Sequence, residues 1–183
     1  PQDEQDKFNT IPNEYSHLYM AINRTLVAVI CIEDPIKDNI KQTLDDLRTT
    51  GIDKIVMMTG DSERTAKAVA EKLGIDEYYA EVMPEDKAMF IEKMQTDGNS
   101  VIMVGDGIND SPALSKADVG ISMGISGTEV SKNASDIILT DDSFNTIVDG
   151  IKWGRGIYEN FQRFIQFQLT INIVAFVIAV MSQ

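Results

Sequence analysis

The chain has 183 residues and a formal net charge of −13, from 29 acidic and 16 basic residues. That length suits one domain of ordinary size with a true core, and that charge excludes a duplex nucleic-acid partner, which needs a basic face. A single cysteine, Cys31, excludes an internal disulfide, and a single histidine, His17, leaves almost no material for His-based triads or multi-histidine metal sites.

Pro1 to Ser16 is polar and acidic, without the apolar run of a signal peptide, and reads as a linker or the remnant of something upstream. His17 to Ala21 and Leu26 to Ile32 are apolar and β-prone, with Asn23-Arg24 between them, which predicts a hairpin. The second run is nearly continuous, the pattern of a strand covered on both faces, and Cys31 within it reads as a small core residue. Asp34-Pro35 predicts a helix start, with Ile36, Ile40, Leu44 and Leu47 as its buried stripe and Gly51 as its end. A second unit repeats this plan. Lys54 to Met58 reads as a strand, Thr59-Gly60-Asp61 as a turn, and Ser62 to Leu73 as a helix closed by Gly74. Pro84 opens a third helix that carries Lys87 in its first turn.

The stretch Val101-Ile-Met-Val-Gly-Asp-Gly-Ile-Asn-Asp110 organises the rest. Val101 to Val104 predict a short buried strand. Gly105 and Gly107 let the backbone turn and approach a ligand closely. Asp106, Asn109 and Asp110 follow at once, and carboxylates so crowded repel each other unless a positive charge sits among them. Mg²⁺ prefers oxygen ligands, usually one or two carboxylates plus substrate phosphate. The local reading is therefore a Mg²⁺-phosphate site at the carboxyl end of a strand, where open α/β sheets place their ligands. A plain polar loop has the same turn residues. A calcium loop is excluded, because its sixth and twelfth positions want Gly and Glu where this chain has Ser111 and Ala117.

Ser111 to Lys116 reads as a short helix, Asp118 to Ser122 and Asp136 to Leu139 as strands, and Ser126 to Ala134 as a helix between them. Strands alternating with helices predict an α/β fold with a parallel, doubly wound sheet. From Ser143 onward the pattern is one long helix, interrupted in composition by Gly150, Gly154 and Gly156. Leu169 to Met181 holds only Thr170 and Asn172 as polar residues. Lys152, Arg155 and Arg163 lie ahead of that run, with Trp153, Tyr158, Phe161, Phe164 and Phe167 among them. Basic and aromatic residues before an apolar run predict a stalk that enters a membrane.

Three separated pieces point to one chemistry. Thr59-Gly60-Asp61 offers a hydroxyl and helix N–H groups to phosphate oxygens. Lys87 offers a point charge to the same oxygens. Asp106 and Asp110 offer Mg²⁺ ligands, and Asn109 an amide. In order and context these pieces resemble the P-type cation-transporting ATPases, members of the haloacid-dehalogenase-like superfamily, from about Tyr15 to the end. Met103-Val-Gly-Asp-Gly-Ile-Asn-Asp-Ser-Pro-Ala-Leu114 carries most of the resemblance, with Met58-Thr-Gly-Asp61, Met83-Pro-Glu-Asp-Lys87 and Asp34-Pro35-Ile36-Lys37.

The resemblance implies a Rossmann-like (HAD-like) parallel sheet flanked by helices, then a long C-terminal helix entering a membrane. It implies a linker and nucleotide-domain remnant over 1–21, a phosphorylation domain over 22–145, a stalk over 146–163 and the start of a transmembrane helix over 164–183. It assigns Mg²⁺ to Asp106 with Asp110, phosphoryl contact to Thr59, Lys87 and Asn109, and nucleotide contact to Asp34, Lys37, Thr59, Gly60 and Asp61. The family often has Arg where this chain has Lys37, and Lys lacks the bidentate fork. His17 to about Met123, with Glu81, is most similar to heavy-metal pumps, of the copper, cadmium and zinc kinds. From Gly127-Thr-Glu-Val130 onward the chain is similar to plasma-membrane calcium pumps, and Asn172 matches an Asn near their ion path. Ala175 stands one turn later, where two-site calcium pumps carry an acidic residue.

The resemblance implies an integral membrane ATPase that works through an aspartyl phosphate, with this domain in the cytoplasm. Its partners would be ATP, Mg²⁺, membrane lipid, the N-terminal part of the pump and a transported cation, calcium before a heavy metal. The family's nucleophile lies in Asp-Lys-Thr-Gly-Thr, and these 183 residues contain no such motif. Two other readings follow from that. One is a soluble phosphatase of the same superfamily, which also needs an aspartate nucleophile. The other is a non-catalytic, truncated or rearranged product that binds Mg²⁺ and a partner.

Overall fold

The computed structural model describes residues 16–23, 25–32, 36 and 39–182. It forms two compact units, Pro1–Ser143 and Phe144–Gln183.

The first unit opens with β1 (Ser16–Ile22) and β2 (Thr25–Ile32), an antiparallel hairpin turned at Asn23. Asn23 takes φ 52°, a left-handed conformation that Asn tolerates better than most residues. The hairpin is where the sequence placed it, but its covering is not. β1 and β2 form a two-stranded sheet of their own, and Val27, Ile30 and Ile32 are each about half exposed. Cys31 is exposed as well, so it is no core residue. A continuous apolar run reports β-propensity and says nothing of what lies against its faces.

Helix α1 (Ile40–Thr49) starts later than Asp34-Pro35 suggested. Asp34, Pro35 and Lys37 lie outside the described residues. Asn39, just ahead of the helix, sits at φ 68°, which no residue inside a right-handed helix can hold. Leu44 is buried and Gly51 turns the chain away at φ 82°.

Then β3 (Val56–Met58), α2 (Glu63–Leu73), β4 (Glu77–Tyr79) and α3 (Pro84–Thr96) follow. α2 is bounded by the predicted residues: Ser62 accepts the Thr65 N–H at its start, and Gly74 takes φ 70° at its end. β3 and β4 pair in parallel. Beyond α3 come β5 (Ile102–Gly105), a 3-10 turn (Ile108–Asp110), α4 (Ser111–Lys116), β6 (Val119–Met123), α5 (Glu129–Ala134) and β7 (Ile137–Leu139). β5, β6 and β7 make a second parallel sheet, in that order. The class is the predicted α/β, but among the described residues the parallel strands stand in two separate sheets rather than one.

Each parallel pair is closed at its amino end by an aspartate. Asp76, Asp118 and Asp136 stand immediately before β4, β6 and β7. Their carboxylates accept the N–H groups of Ile55, Val101 and Gly120, each at 2.8 Å. The Ile55 and Val101 N–H groups hold the Asp76 and Asp118 carboxyls below the ordinary aspartate value, and the Arg48 guanidinium adds to the effect at Asp76.

The core beneath the candidate site joins Ile91 of α3, Met103 of β5 and Ala113 and Leu114 of α4, with Met58 of β3 packed against them. Ile91 and Leu114 are each 1% exposed, and burial of side chains that size contributes roughly 1.5–3 kcal/mol apiece. That core fixes β5 and the middle of α3 against α4.

The second unit is α6 (Phe144–Met181), 38 residues without a break. Gly150, Gly154 and Gly156 are all helical. At 1.5 Å per residue it is about 57 Å long, more than the roughly 30 Å of a bilayer core. It is the one described helix long and apolar enough to cross a membrane, with a mean hydropathy of 2.1 over its most apolar 18 residues.

Candidate active site

Two loops at the carboxyl ends of strands carry the predicted residues. Thr59 follows β3 directly, and Asp106 follows β5 directly.

In the first loop, Thr59 Oγ1 donates to Asp61 Oδ2 at 2.8 Å and accepts the Asp61 N–H at 3.1 Å. The turn therefore holds its own hydroxyl and carboxylate together at a solvent-facing position. Thr59 and Asp61 are also tied to the segment leading into α3. Val82 N–H donates to the Thr59 carbonyl at 3.0 Å, and Glu81 N–H to that of Asp61 at 2.9 Å. Gly60 lies in open space, with no atom within 4 Å of where a Cβ would stand.

At the second loop, Lys87 Nζ of α3 donates to Asp110 Oδ1 at 2.7 Å, and the two side chains are only 15% and 13% exposed. Asp110 Oδ2 accepts the Gly107 N–H at 3.1 Å. This pairing packs Asp110 against Gly105, where an added Cβ would lie 2.7 Å from the Asp110 Cβ. Glycine at 105 is thus a steric requirement of the Asp110 position. Asp106 and Asn109 are both exposed, and the Asp106 carboxylate has no hydrogen-bond or ion-pair partner among the described residues.

The Asp106 backbone, by contrast, is held firmly. Its carbonyl accepts the Thr128 N–H at 3.0 Å and the Ser131 hydroxyl at 2.9 Å. These are the contacts that sequence reasoning missed. Ser131 is fully buried, yet a serine 25 positions downstream carries no local signal for such a contact. Asp142 anchors the loop just ahead of Thr128. Its carboxylate accepts the N–H groups of Ile125 and Ser126 at 2.8 and 2.7 Å. The Ile125 N–H leads in drawing the Asp142 carboxyl down to about 2, with the Ser126 N–H adding to it.

Among the described residues no three His, Cys, Asp or Glu side chains gather closely enough to hold a metal by themselves. The donor set suits Mg²⁺ as half of a site. Asp106 would supply one carboxylate, Asp110 stands four residues on and is paired with Lys87, and substrate phosphate and water would complete the shell. Of the predicted site residues, the structure joins Lys87 with Asp110 and Thr59 with Asp61. Asp34 and Lys37 lie outside the described residues.

The sequence matches a model described as haloacid dehalogenase-like hydrolase over residues 3–118, and a second model of that description over 87–151. The chain belongs to the haloacid dehalogenase-like hydrolases. It is 40% identical over 182 residues to calcium-transporting ATPase 2, plasma membrane-type, of Arabidopsis thaliana, covering 84% of this chain and 18% of that protein. It is 48% identical over 132 residues to the manganese-exporting P-type ATPase of Mycobacterium tuberculosis, covering 72% and 18%. Among solved structures, a zinc-transporting PIB-type ATPase superposes with a TM-score of 0.75 at 31% identity, over 90% of this chain and 27% of that one. The catalytic CPx-ATPase domain CopB-B gives a TM-score of 0.59 at 39% identity, over 73% and 53%. Within its family the chain is a phosphorylation domain of the P-type ATPase kind. It spans 18% of the length of these curated relatives.

Proposed function

We propose that this domain forms the Mg²⁺ and phosphate half of the active site of a pump that couples ATP hydrolysis, through an aspartyl phosphate, to cation movement across a membrane. The observation that carries the reading is the Lys87–Asp110 pair, together with an Asp106 carboxylate just past β5 that has no hydrogen-bond or ion-pair partner among the described residues. In the reaction, a carboxylate oxygen of an aspartate outside these 183 residues bonds to the γ-phosphorus of ATP, and ADP leaves. Water later attacks the acyl phosphate and releases phosphate.

Asp106, with Asp110, would hold Mg²⁺, which supplies positive charge to the phosphate oxygens. Lys87 adds a second positive charge from a position fixed by Asp110. Thr59 Oγ1 and the Asn109 amide donate to the transferring group. Phosphoryl transfer asks the protein for this kind of positioning and charge stabilisation rather than for covalent chemistry of its own. Gly60 and Asp61 lie beside the nucleotide, as Asp34 and Lys37 would.

The protein is an integral membrane ATPase with this domain in the cytoplasm, α6 entering the bilayer near Phe164 and Asn172 facing the ion path. The stalk runs over 146–163. Calcium is the favoured cargo, since the calcium-pump relatives cover 84% of the chain or more; a heavy metal is the runner-up. Asp106→Asn in the full-length protein is expected to abolish ATP-dependent, acid-stable labelling of the enzyme. Normal labelling of that variant would remove Asp106 from the site.

A further inference from the structure

We infer that Ser131 is a positioning residue for Asp106, acting through the backbone and not through the Asp106 side chain. This rests on the reading of Asp106 as a Mg²⁺ ligand.

Asp106 lies one residue past the last residue of β5, where ladder hydrogen bonds no longer fix the chain. Its φ, ψ and the direction of its carboxylate then depend on what holds its peptide groups. Two donors do so, the Thr128 N–H and the Ser131 hydroxyl. The Ser131 hydroxyl has one proton, shared between the Asp106 carbonyl at 2.9 Å and the Thr128 carbonyl at 2.8 Å. Its oxygen accepts the Thr128 hydroxyl at 3.1 Å, and its own N–H donates to Thr128 Oγ1 at 3.2 Å. Thr128 and Ser131 thus form a closed polar knot at the first turn of α5, with Ser131 0% exposed.

The knot is itself immobilised. Asp142 binds the N–H groups of Ile125 and Ser126 just ahead of it. Gly127 lies so close to Met123 that a Cβ would come within 2.0 Å of the Met123 carbonyl oxygen. The site loop is therefore braced by the loop that leads into α5. Without the Ser131 hydroxyl, the Asp106 carbonyl keeps only the Thr128 N–H, and the carboxylate gains freedom to swing. Partners outside the ligand set commonly change metal affinity by about 10–100-fold. A backbone brace belongs at the lower end of that range.

The test uses the 183-residue chain in detergent, with Mn²⁺ as the probe, because it shares the oxygen preference of Mg²⁺ and its free ion gives an EPR signal. Wild type, Ser131→Ala, Ser131→Cys and Asp106→Asn are titrated, and each is melted to confirm folding. Asp106→Asn is expected to lose most of the binding. Ser131→Ala is expected to weaken it about tenfold at temperatures where the protein remains folded. Ser131→Cys, a weaker donor of similar volume, should fall between and serves if the alanine variant does not fold. Wild-type affinity in both Ser131 variants, with Asp106→Asn defective, overturns the positioning role and leaves the Mg²⁺ reading intact. Unchanged binding in Asp106→Asn overturns the Mg²⁺ reading and the positioning role with it.

Discussion

Lys87 Nζ donates to Asp110 Oδ1 at 2.7 Å, and neither side chain is more than 15% exposed. The lysine that would meet phosphate is thus held by a carboxylate of the loop that would hold Mg²⁺. The pair ties α3 to the loop after β5. Removing one member leaves the other largely buried and unpaired, a loss on the order of 3 kcal/mol. Lys87→Met and Asp110→Asn are each expected to lower the unfolding free energy by about that much. Denaturant titration of the singles and the double should show strong coupling. Additive losses would mean the pair is not formed in solution.

Asp142 gives the fold a defined acid sensitivity. Its carboxyl is drawn from the ordinary 3.8 down to about 2 by the N–H groups that it accepts, led by that of Ile125. A depressed folded value contributes stability that is complete above the unfolded value and is lost as pH falls through the folded one. Melting temperature is therefore expected to drop between about pH 4 and pH 2, with Asp76 and Asp118, also drawn down, adding to the slope. Asp142→Asn should melt lower at neutral pH and show a shallower acid drop. An unchanged acid profile would contradict the assigned cause.

Gly105 and Gly60 are expected to respond differently to alanine. At 105 the new Cβ would stand 2.7 Å from the Asp110 Cβ, so Gly105→Ala must displace Asp110 from Lys87 and lower stability. At 60 nothing lies within 4 Å, so Gly60→Ala should melt as wild type. Any loss of nucleotide binding in Gly60→Ala would then report contact with the ligand. Melting curves and nucleotide titration of both variants check this pair of outcomes.

Much of this arrangement was legible because it is local. Ser62 and Gly74 bracket α2 through hydrogen bonding and a left-handed turn that their own chemistry favours. The loop after β5 announces itself through two glycines and three polar side chains. β4 was missed because Glu77-Tyr-Tyr79 is three residues long, too short for any periodicity. The exposure of β2 and Cys31 was missed because an apolar run does not record what packs on it. The aspartate closures at 76, 118 and 136 and the Ser131 contact join residues 16 to 25 positions apart, and only the folded chain brings them together. Division of the parallel strands into two sheets is a matter of pairing partners, which strand composition does not encode.

The apolar half of α6 leads to a partition experiment. The chain mixed with lipid vesicles is expected to float with them in a density gradient, and a chain ending at residue 163 to remain behind. Asn172→Ala should float like wild type, since one amide is a small part of the helix, while lowering cation transport in the full-length protein. Flotation of the shortened chain would place the membrane contact elsewhere.

The most direct test labels the native protein. An antibody to this chain captures its antigen from membranes briefly exposed to γ-labelled ATP and quenched in acid. The expected product is a hydroxylamine-sensitive labelled band, several times larger than the 20.3 kDa of these 183 residues, that vanishes when Mg²⁺ is chelated. An unlabelled band, or antigen found only near 20.3 kDa, would contradict a phosphorylation domain at work in a P-type pump.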